Sequence, residues 1–598
     1  MSRKISHRKS YKETRKINMR KTKIVCTLGP ATADDSVLKR LMLEGLDVAR
    51  FNFSHGTHES HKETFDRVDR IRKELGLPVA ALLDTKGPEV RVCQFKDGKI
   101  QLTKGGKFTL TSRDIEGTQD IVSVTYKNLP NDVKAGGRIL LDDGLIELVV
   151  DEIVDGTDIV CSIMNDGALS NNKGVNLPDT RLSMPYLSEK DRSDIIFGIK
   201  TGYDFIAASF VRCADDVLEI RKILEEHKCN SIQIISKIEN QEGVDNIDEI
   251  IRVSDGIMVA RGDMGVEIPG EEVPAIQKMI IKKTVAVGKQ VITATQMLDS
   301  MMKNPRATRA EISDVANAIY DGTSAIMLSG ETAAGAYPIE AVQTMARIAL
   351  KTEADIDYVK RFTNKGADVS ANVTSAISRA TCTTAHDLNA AAIVTVTKSG
   401  RTARMISKFR PNCPILGCTT SESVYRHMAL MWGVRPLLMD EKQSTDELFA
   451  EALEVAEHTG MVNKGELVVI TSGLPVGVTG TTNMLRVEVI GNILASGSGV
   501  GNKTVCGSLC VAKDLEEANA TFMEGDILVM PKTNNDMLPL LRRASGIITE
   551  EDGANSHAAV VGLSLDIPVI TGATNATDIL KTGAVVTLDA QRGVVSNN

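Results

Sequence analysis

The segment "IQIISKIENQEG", residues 232–243, spends three isoleucines on an apolar run and then places Lys237, Glu239 and Asn240 within four positions. Side chains alternate faces along a strand, so Lys237 and Glu239, two apart, emerge on the same side at its carboxyl end. A charge pair where a core strand runs out is either a surface ion pair or a piece of chemistry. The next apolar run, "GIMVARGD", ends on Asp263, a second carboxylate from a neighbouring strand. Two carboxylates placed this way suit Mg2+ or Mn2+, with the remaining positions left for water and substrate oxygens. Lys237 is then a fixed positive charge beside the metal. An internal salt-bridge network of Lys237, Glu239 and Asp263 is the structural alternative.

The elements that must position these groups follow from the hydrophobic pattern. From Lys23, "KIVCTLG", "DVARFNFS" and "VAALLDT" alternate with amphipathic segments, which predicts parallel βα units. That rhythm stops at Gly87-Pro88, and residues 90–166 show short alternating runs with glycine turns, the pattern of a small inserted β-barrel. It resumes with "DFIAASF", "IQIISKI", "GIMVARG", "QVITAT" and "SAIMLSG". Three strands before the insertion and five after make the eight of a (β/α)8 barrel, an α/β fold whose active site forms at the carboxyl ends of its strands. The polar residues expected there are Arg50, Asn52, Ser54, Asp84, Thr85, Lys86, Ser209, Lys237, Glu239, Arg261, Gly262, Asp263, Thr295, Gln296, Ser329 and Glu331.

Composition excludes several alternatives. At 598 residues, with 42% hydrophobic and 25% charged, the chain is an ordinary globular protein of several domains. No run approaches the roughly 18–20 apolar residues of a membrane span, and the N-terminus lacks an apolar signal core, so the expectation is a cytoplasmic protein. The ten cysteines follow no metal-ligand spacing and read as reduced thiols. Net charge is −8, but residues 1–23 alone carry +9, which leaves −17 on the rest. Such a basic tail is more often solvated than a nucleic-acid or membrane ligand, so neither partner is expected.

The strings "ARFNFSHG", "LLDTKGPEVR", "IISKIENQEG", "MVARGDMGVE", "TATQMLDSM", "PRATRAEISDVANA" and "MLSGETAAGAYP" occur in the order of the pyruvate kinase family, and the chain resembles that family from about Lys21 to Glu488. The resemblance implies transfer of the phosphoryl group of phosphoenolpyruvate to ADP, giving pyruvate and ATP, the last step of glycolysis. It implies Glu239 and Asp263 as ligands of Mg2+ or Mn2+, and Lys237, Arg50 and Thr295 as catalytic groups. Substrate would be held by Arg50, Lys237, Gly262, Asp263, Thr295 and Ser209. Asn52, Ser54, Asp84 and Thr85 match the K+ site, and Glu89 is the form carried by potassium-dependent members. Asn52, His55, Arg91 and Lys173 match the nucleotide side, with the inserted barrel as a lid. A homotetramer is the expected assembly.

The resemblance also predicts the division of the chain: a basic tail over 1–18, the barrel over 19–88 and 186–356, the lid over 89–185, and an α/β effector domain over 357–490. In the last of these the turn "TKSGRTA" gathers Thr397, Lys398, Ser399, Arg401 and Thr402 at a helix start, which suits the phosphate of an allosteric effector. The glycine-rich stretch "SGLPVGVTGTTN" would fold over it. Residues 491–503 read as a flexible Gly/Ser linker. The segment 504–598 resembles the swivelling phosphohistidine domain of phosphoenolpyruvate-utilising enzymes, with His557 at the reactive position but Asn555 where that family usually has Thr. A phosphotransfer or sensor protein working through His557 or the basic tail is the competing reading.

Overall fold

The computed structural model describes residues 20–364, 372–442, 444–463, 466–473, 482–491 and 493–597. The basic tail and the middle of the "SGLPVGVTGTTN" stretch lie outside them. The chain divides into two compact units: residues up to 368 with 397–438, and 369–396 with 439–598.

In the first unit eight strands close a parallel barrel: β1 (Lys23–Thr27), β2 (Val48–Asn52), β3 (Ala80–Asp84), β4 (Phe205–Ala208), β5 (Gln233–Ile238), β6 (Gly256–Ala260), β7 (Gln290–Ala294) and β8 (Ala325–Leu328). Neighbours in the ring are neighbours in sequence, as right-handed βα crossovers require. Every residue of β1, β3, β4, β6, β7 and β8 is buried, because strands covered on both faces alternate between two cores rather than between core and solvent. One core fills the barrel with Val25, Val48, Leu82, Phe205, Ile235, Met258, Ile292 and Met327, and Ala429 and Leu430 join it. The other lies between the strands and the surrounding helices.

Helix ends are set by local chemistry. The helix α1 (Asp35–Glu44) starts where Asp34 accepts from the Ser36 amide. Capping boxes at Thr57 and Ser188 open α2 (His58–Leu75) and α3 (Glu189–Thr201), and the glycines after them take left-handed backbone angles. Two further helices matter for the site, α4 (Ala214–Glu226) after β4 and the short α5 (Arg261–Glu267) after β6. Between β3 and α3 the chain makes a six-stranded sheet and a two-stranded ribbon around a core that includes Phe108, Leu148 and Ile159. The same unit holds the helix α6 (Arg401–Lys408) and a parallel pair, Ile415–Thr419 with Val434–Leu438.

In the second unit Ala392–Val396 pairs in parallel with Leu467–Gly473, which pairs antiparallel with Thr482–Val489. The C-terminal part is an eight-stranded mixed sheet with the helix α7 (His557–Leu565), capped by Ser556. The stretch expected to be a flexible linker is part of that sheet: Ile493–Ser496 pairs with Val594–Asn597, and Ser498–Val500 with Val569–Thr571. Two of its glycines, Gly497 and Gly499, serve close approach rather than looseness. A Cβ on Gly497 would lie 2.3 Å from the Thr571 carbonyl oxygen, and one on Gly499 would lie 1.7 Å from that of Ala590. Among the described residues no helix is long and apolar enough to cross a membrane, and no disulfide joins any of the ten cysteines.

Candidate active site

The carboxyl end of β5 delivers Lys237 into the barrel mouth, where it is buried. Its Nζ donates to Ser209 Oγ at 2.8 Å and to Asp84 Oδ1 at 3.1 Å, and stands 3.0 Å from Glu239 Oε1. Burial works against the ammonium, but the carboxylates of Asp84 and Glu239 outweigh it and hold the lysine above its ordinary range. Asp84 closes the other side, its Oδ2 accepting from Arg50 Nε at 2.6 Å, while Arg50 Nη1 reaches Thr27 Oγ1 at 2.9 Å. Burial alone would raise the Asp84 carboxyl, yet the Arg50 and Lys237 cations draw it below the usual value.

Glu239 is fully buried. Its Oε2 accepts the Phe210 amide at 2.5 Å, whereas Oε1 has the Lys237 ion pair but no hydrogen bond in line with it. Burial pushes the glutamate up to about 8 despite Lys237, and the charge of Asp263 adds to the rise. Asp263 comes from the first turn of α5, beyond β6. A buried carboxylate oxygen short of a donor, with a second carboxylate raising its pKa, is a hard-oxygen donor set that fits a divalent cation. Among the described residues no cluster of three or more His, Cys, Asp or Glu side chains could hold a metal, so an ion here would complete its shell with other oxygens.

At the end of β7, Thr295 and Gln296 both take left-handed backbone angles, φ 70° and 53°, a cost of order 1–3 kcal/mol each that clusters at functional sites. The turn aims Thr295 Oγ1 at the Gly262 amide, 2.7 Å away, and Arg261 braces it by donating to the Thr295 carbonyl at 2.8 Å and to Asp314 at 2.7 Å. On the far side Asn52 and Asp84 are register partners on β2 and β3, and Asn52 Oδ1 accepts the Ser54 amide at 3.1 Å. The Thr85 carbonyl accepts from Ser209 Oγ at 2.6 Å.

Of the barrel residues named from sequence, Arg50, Asp84, Ser209, Lys237 and Glu239 form one contact group and Arg261, Gly262 and Thr295 another, while the nucleotide-side residues are more dispersed. Arg91 lies in the inserted unit, donating to the Asn172 carbonyl at 2.6 Å and paired with Glu89 at 2.5 Å. Lys173 pairs with Asp142 at 2.7 Å, and His55 is exposed on the turn after β2. A cleft of about 260 Å³ opens between inserted unit and barrel, lined by Glu89, Asn176, Arg181, Arg212, Asn240 and Asp263 among others. In the turn 397–402 Thr397 and Thr402 are buried, Lys398, Ser399 and Arg401 are exposed, and α6 starts on Gly400 with no side-chain cap. The residue that sequence reading missed is Phe210, which acts through its amide at a left-handed φ of 54°. Side-chain chemistry carries no signal for such a contact.

Comparison with known proteins agrees with this geometry. Residues 19–342 match the pyruvate kinase barrel domain, 375–488 the pyruvate kinase alpha/beta domain, and 522–593 the mobile domain of PEP-utilising enzymes. The pyruvate kinase of Sporosarcina psychrophila is 52% identical over 584 residues, which cover 97% of this chain and 99% of that protein. That of Geobacillus stearothermophilus is 52% identical over 577 residues, covering 96% and 98%. The crystal structure of a pyruvate kinase from Cryptosporidium parvum aligns with a TM-score of 0.75 at 39% identity, covering 79% of this chain and 96% of that one. With a closed eight-stranded barrel, a buried lysine–carboxylate cluster at its mouth and matching relatives over almost its whole length, the chain belongs to the pyruvate kinase family and is an enzyme of that class.

Proposed function

We propose that the chain moves the phosphoryl group of phosphoenolpyruvate to ADP and then protonates the enolate, giving ATP and pyruvate as the closing step of glycolysis in the cytoplasm. The observation that carries this reading is the buried set of Lys237, Asp84, Ser209 and Glu239 at the end of otherwise apolar strands. Phosphoryl transfer needs positioning and charge neutralisation rather than a covalent nucleophile, and such a set provides both in a site shielded from water.

In this reading Arg50, pre-oriented by Asp84 and Thr27, grips the phosphate, and Lys237 stabilises charge on the transferring group and on the enolate oxygen. The Gly262 amide and Thr295 seat the carboxylate, with Thr295 on the side from which the enolate carbon is protonated. Glu239 and Asp263 would hold Mg2+ or Mn2+, which when bound neutralises phosphate oxygens. Asn52, Ser54, Asp84 and Thr85 would hold K+. His55, Arg91 and Lys173 would meet the nucleotide as the inserted unit closes over the cleft and excludes water.

The same proposal includes a phosphorylated effector at Thr397, Lys398, Ser399, Arg401 and Thr402, a homotetrameric assembly, and the domain limits given by the resemblance, except that residues 491–503 belong to the C-terminal domain's sheet rather than to a linker. A coupled assay of phosphoenolpyruvate and ADP turnover, run with and without Mg2+, K+ and a panel of sugar phosphates and nucleotides, tests it. Absence of pyruvate and ATP under all these conditions overturns the reading.

A further inference from the structure

The two chain crossings that connect the inserted unit to the barrel meet on one short loop, residues 209–212 after β4. On the outgoing crossing, the Lys86 and Gly87 amides donate to Asp191 Oδ1, both at 3.1 Å. Gly87 lies so close to the loop that a Cβ there would sit 2.8 Å from Ser209 Cβ. On the return crossing, Arg212 Nη1 donates to the carbonyls of Leu182 at 3.2 Å and Met184 at 3.0 Å, and Tyr186 Oη donates to the Ser209 carbonyl at 3.0 Å.

The opposite side of this loop touches the catalytic pair. Ser209 Oγ accepts from Lys237 Nζ at 2.8 Å, the Phe210 amide donates to Glu239 Oε2 at 2.5 Å, and the Val211 amide donates to the Lys237 carbonyl at 3.3 Å. The left-handed angle at Phe210 turns its amide toward Glu239, a conformation that persists only where flanking contacts hold it. Arg212 is itself locked: Nε and Nη2 pair with the two oxygens of Asp216 at 3.0 and 2.9 Å, and its carbonyl accepts from Asn246 at 2.9 Å. A planar guanidinium can serve a carboxylate on one edge and two carbonyls on the other, which an ammonium cannot.

We infer that Arg212 is a positioning residue that couples the hinge of the inserted unit to Lys237 and Glu239 through the Phe210–Val211 amides. Its guanidinium is taken up by Asp216 and by the Leu182 and Met184 carbonyls, so its effect on turnover runs through the loop. The activity part of the test rests on the pyruvate kinase reading; the exchange part does not.

The test compares the full-length parent with Arg212→Met and Arg212→Lys. In Arg212→Met, kcat at saturating substrate should fall about tenfold or more, since small misplacements of catalytic groups are costly. Pyruvate formed per ATP should rise above one, because a loosened hinge admits water: phosphoenolpyruvate and water give pyruvate and inorganic phosphate, the phosphorus–oxygen bond to the enol breaking as one to water forms. Arg212→Lys should lie between the two, and guanidinium added to Arg212→Ala should restore part of kcat. Amide hydrogen exchange in Arg212→Met should speed up together at 182–186 and 210–212. Turnover within twofold of the parent with a ratio of one overturns the inference, as does faster exchange confined to 182–186. If the parent itself makes no pyruvate and ATP, the functional reading fails while the exchange result still decides the coupling.

Discussion

Lys237 Nζ lies 3.1 Å from Asp84 Oδ1 and Asp84 Oδ2 lies 2.6 Å from Arg50 Nε, so one buried carboxylate holds two cations from different strands at the barrel mouth. That arrangement decides what Lys237→Met does. Asp84 keeps Arg50, and Glu239, already raised to about 8, takes up a proton, so neither is left as an unpaired buried charge. The variant is expected to fold, with a thermal midpoint close to the parent, while turnover drops at least about a thousandfold, the roughly 4 kcal/mol of one well-placed charge in a dry site. Near-normal kcat removes Lys237 from catalysis.

Glu239 gives the second prediction. A carboxyl raised to about 8 takes up its proton well above the range of an ordinary carboxylate in the metal-free protein, whereas in the unfolded chain its pKa returns to the ordinary 4.5. The folded state then binds more protons between these values, so the contribution of Glu239 is present below 4.5 and lost as pH rises through about 8. Melts in chelator should show falling stability over that window, and Mn2+ followed by calorimetry should bind more tightly as pH rises toward 8, because metal and proton compete for the same oxygens. Glu239→Gln should flatten both slopes. Mn2+ affinity independent of pH in the parent excludes Glu239 as a ligand.

What sequence could and could not supply follows from the kind of signal each feature leaves. The barrel was legible because eight apolar runs end on polar residues, and Lys237, Glu239, Asp84 and Arg50 do meet as their strand ends imply. Phe210 was not, since its role is an amide at an unusual angle. Residues 491–503 misled in the other direction: Gly and Ser suggest looseness, yet Gly497 and Gly499 are small because two backbones press against them. Composition cannot separate these two uses of glycine, whereas pairing partners far along the chain can.

The third prediction concerns monovalent cations. Glu89 Oε1 pairs with Arg91 Nη2 at 2.5 Å at the entry to the inserted unit, so no side-chain cation at position 89 replaces an external one. Turnover in Mg2+ should fall at least about tenfold when K+ is replaced by tetramethylammonium, a loss of roughly 1.4 kcal/mol or more. Glu89→Lys should reduce that dependence. Full activity without K+ excludes the site at Asn52, Ser54, Asp84 and Thr85.

Arg401 is exposed beside the uncapped start of α6, a helix whose Met405 and Lys408 lie against Gly288 just ahead of β7, at the opposite end of that strand from Thr295. Arg401→Ala should therefore leave basal turnover within about twofold and reduce activation by a phosphorylated effector by about tenfold, the size of a typical coupling term. The measurement is the activator concentration for half-maximal effect. Loss of basal turnover with unchanged activation reverses the assignment.

The last prediction is that His557 carries no phosphoryl group during turnover. It opens α7 behind Ser556, where helix amides favour an anion, so position alone suits phosphorylation. Its ring does not. Nε2 meets Asn535 Oδ1 at 3.1 Å and Nδ1 meets Thr533 Oγ1 at 2.9 Å, so both ring nitrogens have a partner. Either nitrogen must give up a hydrogen bond before it can attack phosphorus. Asn555 also replaces the usual Thr two residues before it. Direct transfer from phosphoenolpyruvate to ADP needs no relay, so His557→Ala should keep kcat within about twofold of the parent, under about 0.5 kcal/mol in barrier. Labelled phosphoenolpyruvate should leave no alkali-stable, acid-labile label on the chain; label that disappears in His557→Ala shows that the ring does give up one of these bonds and accept phosphate.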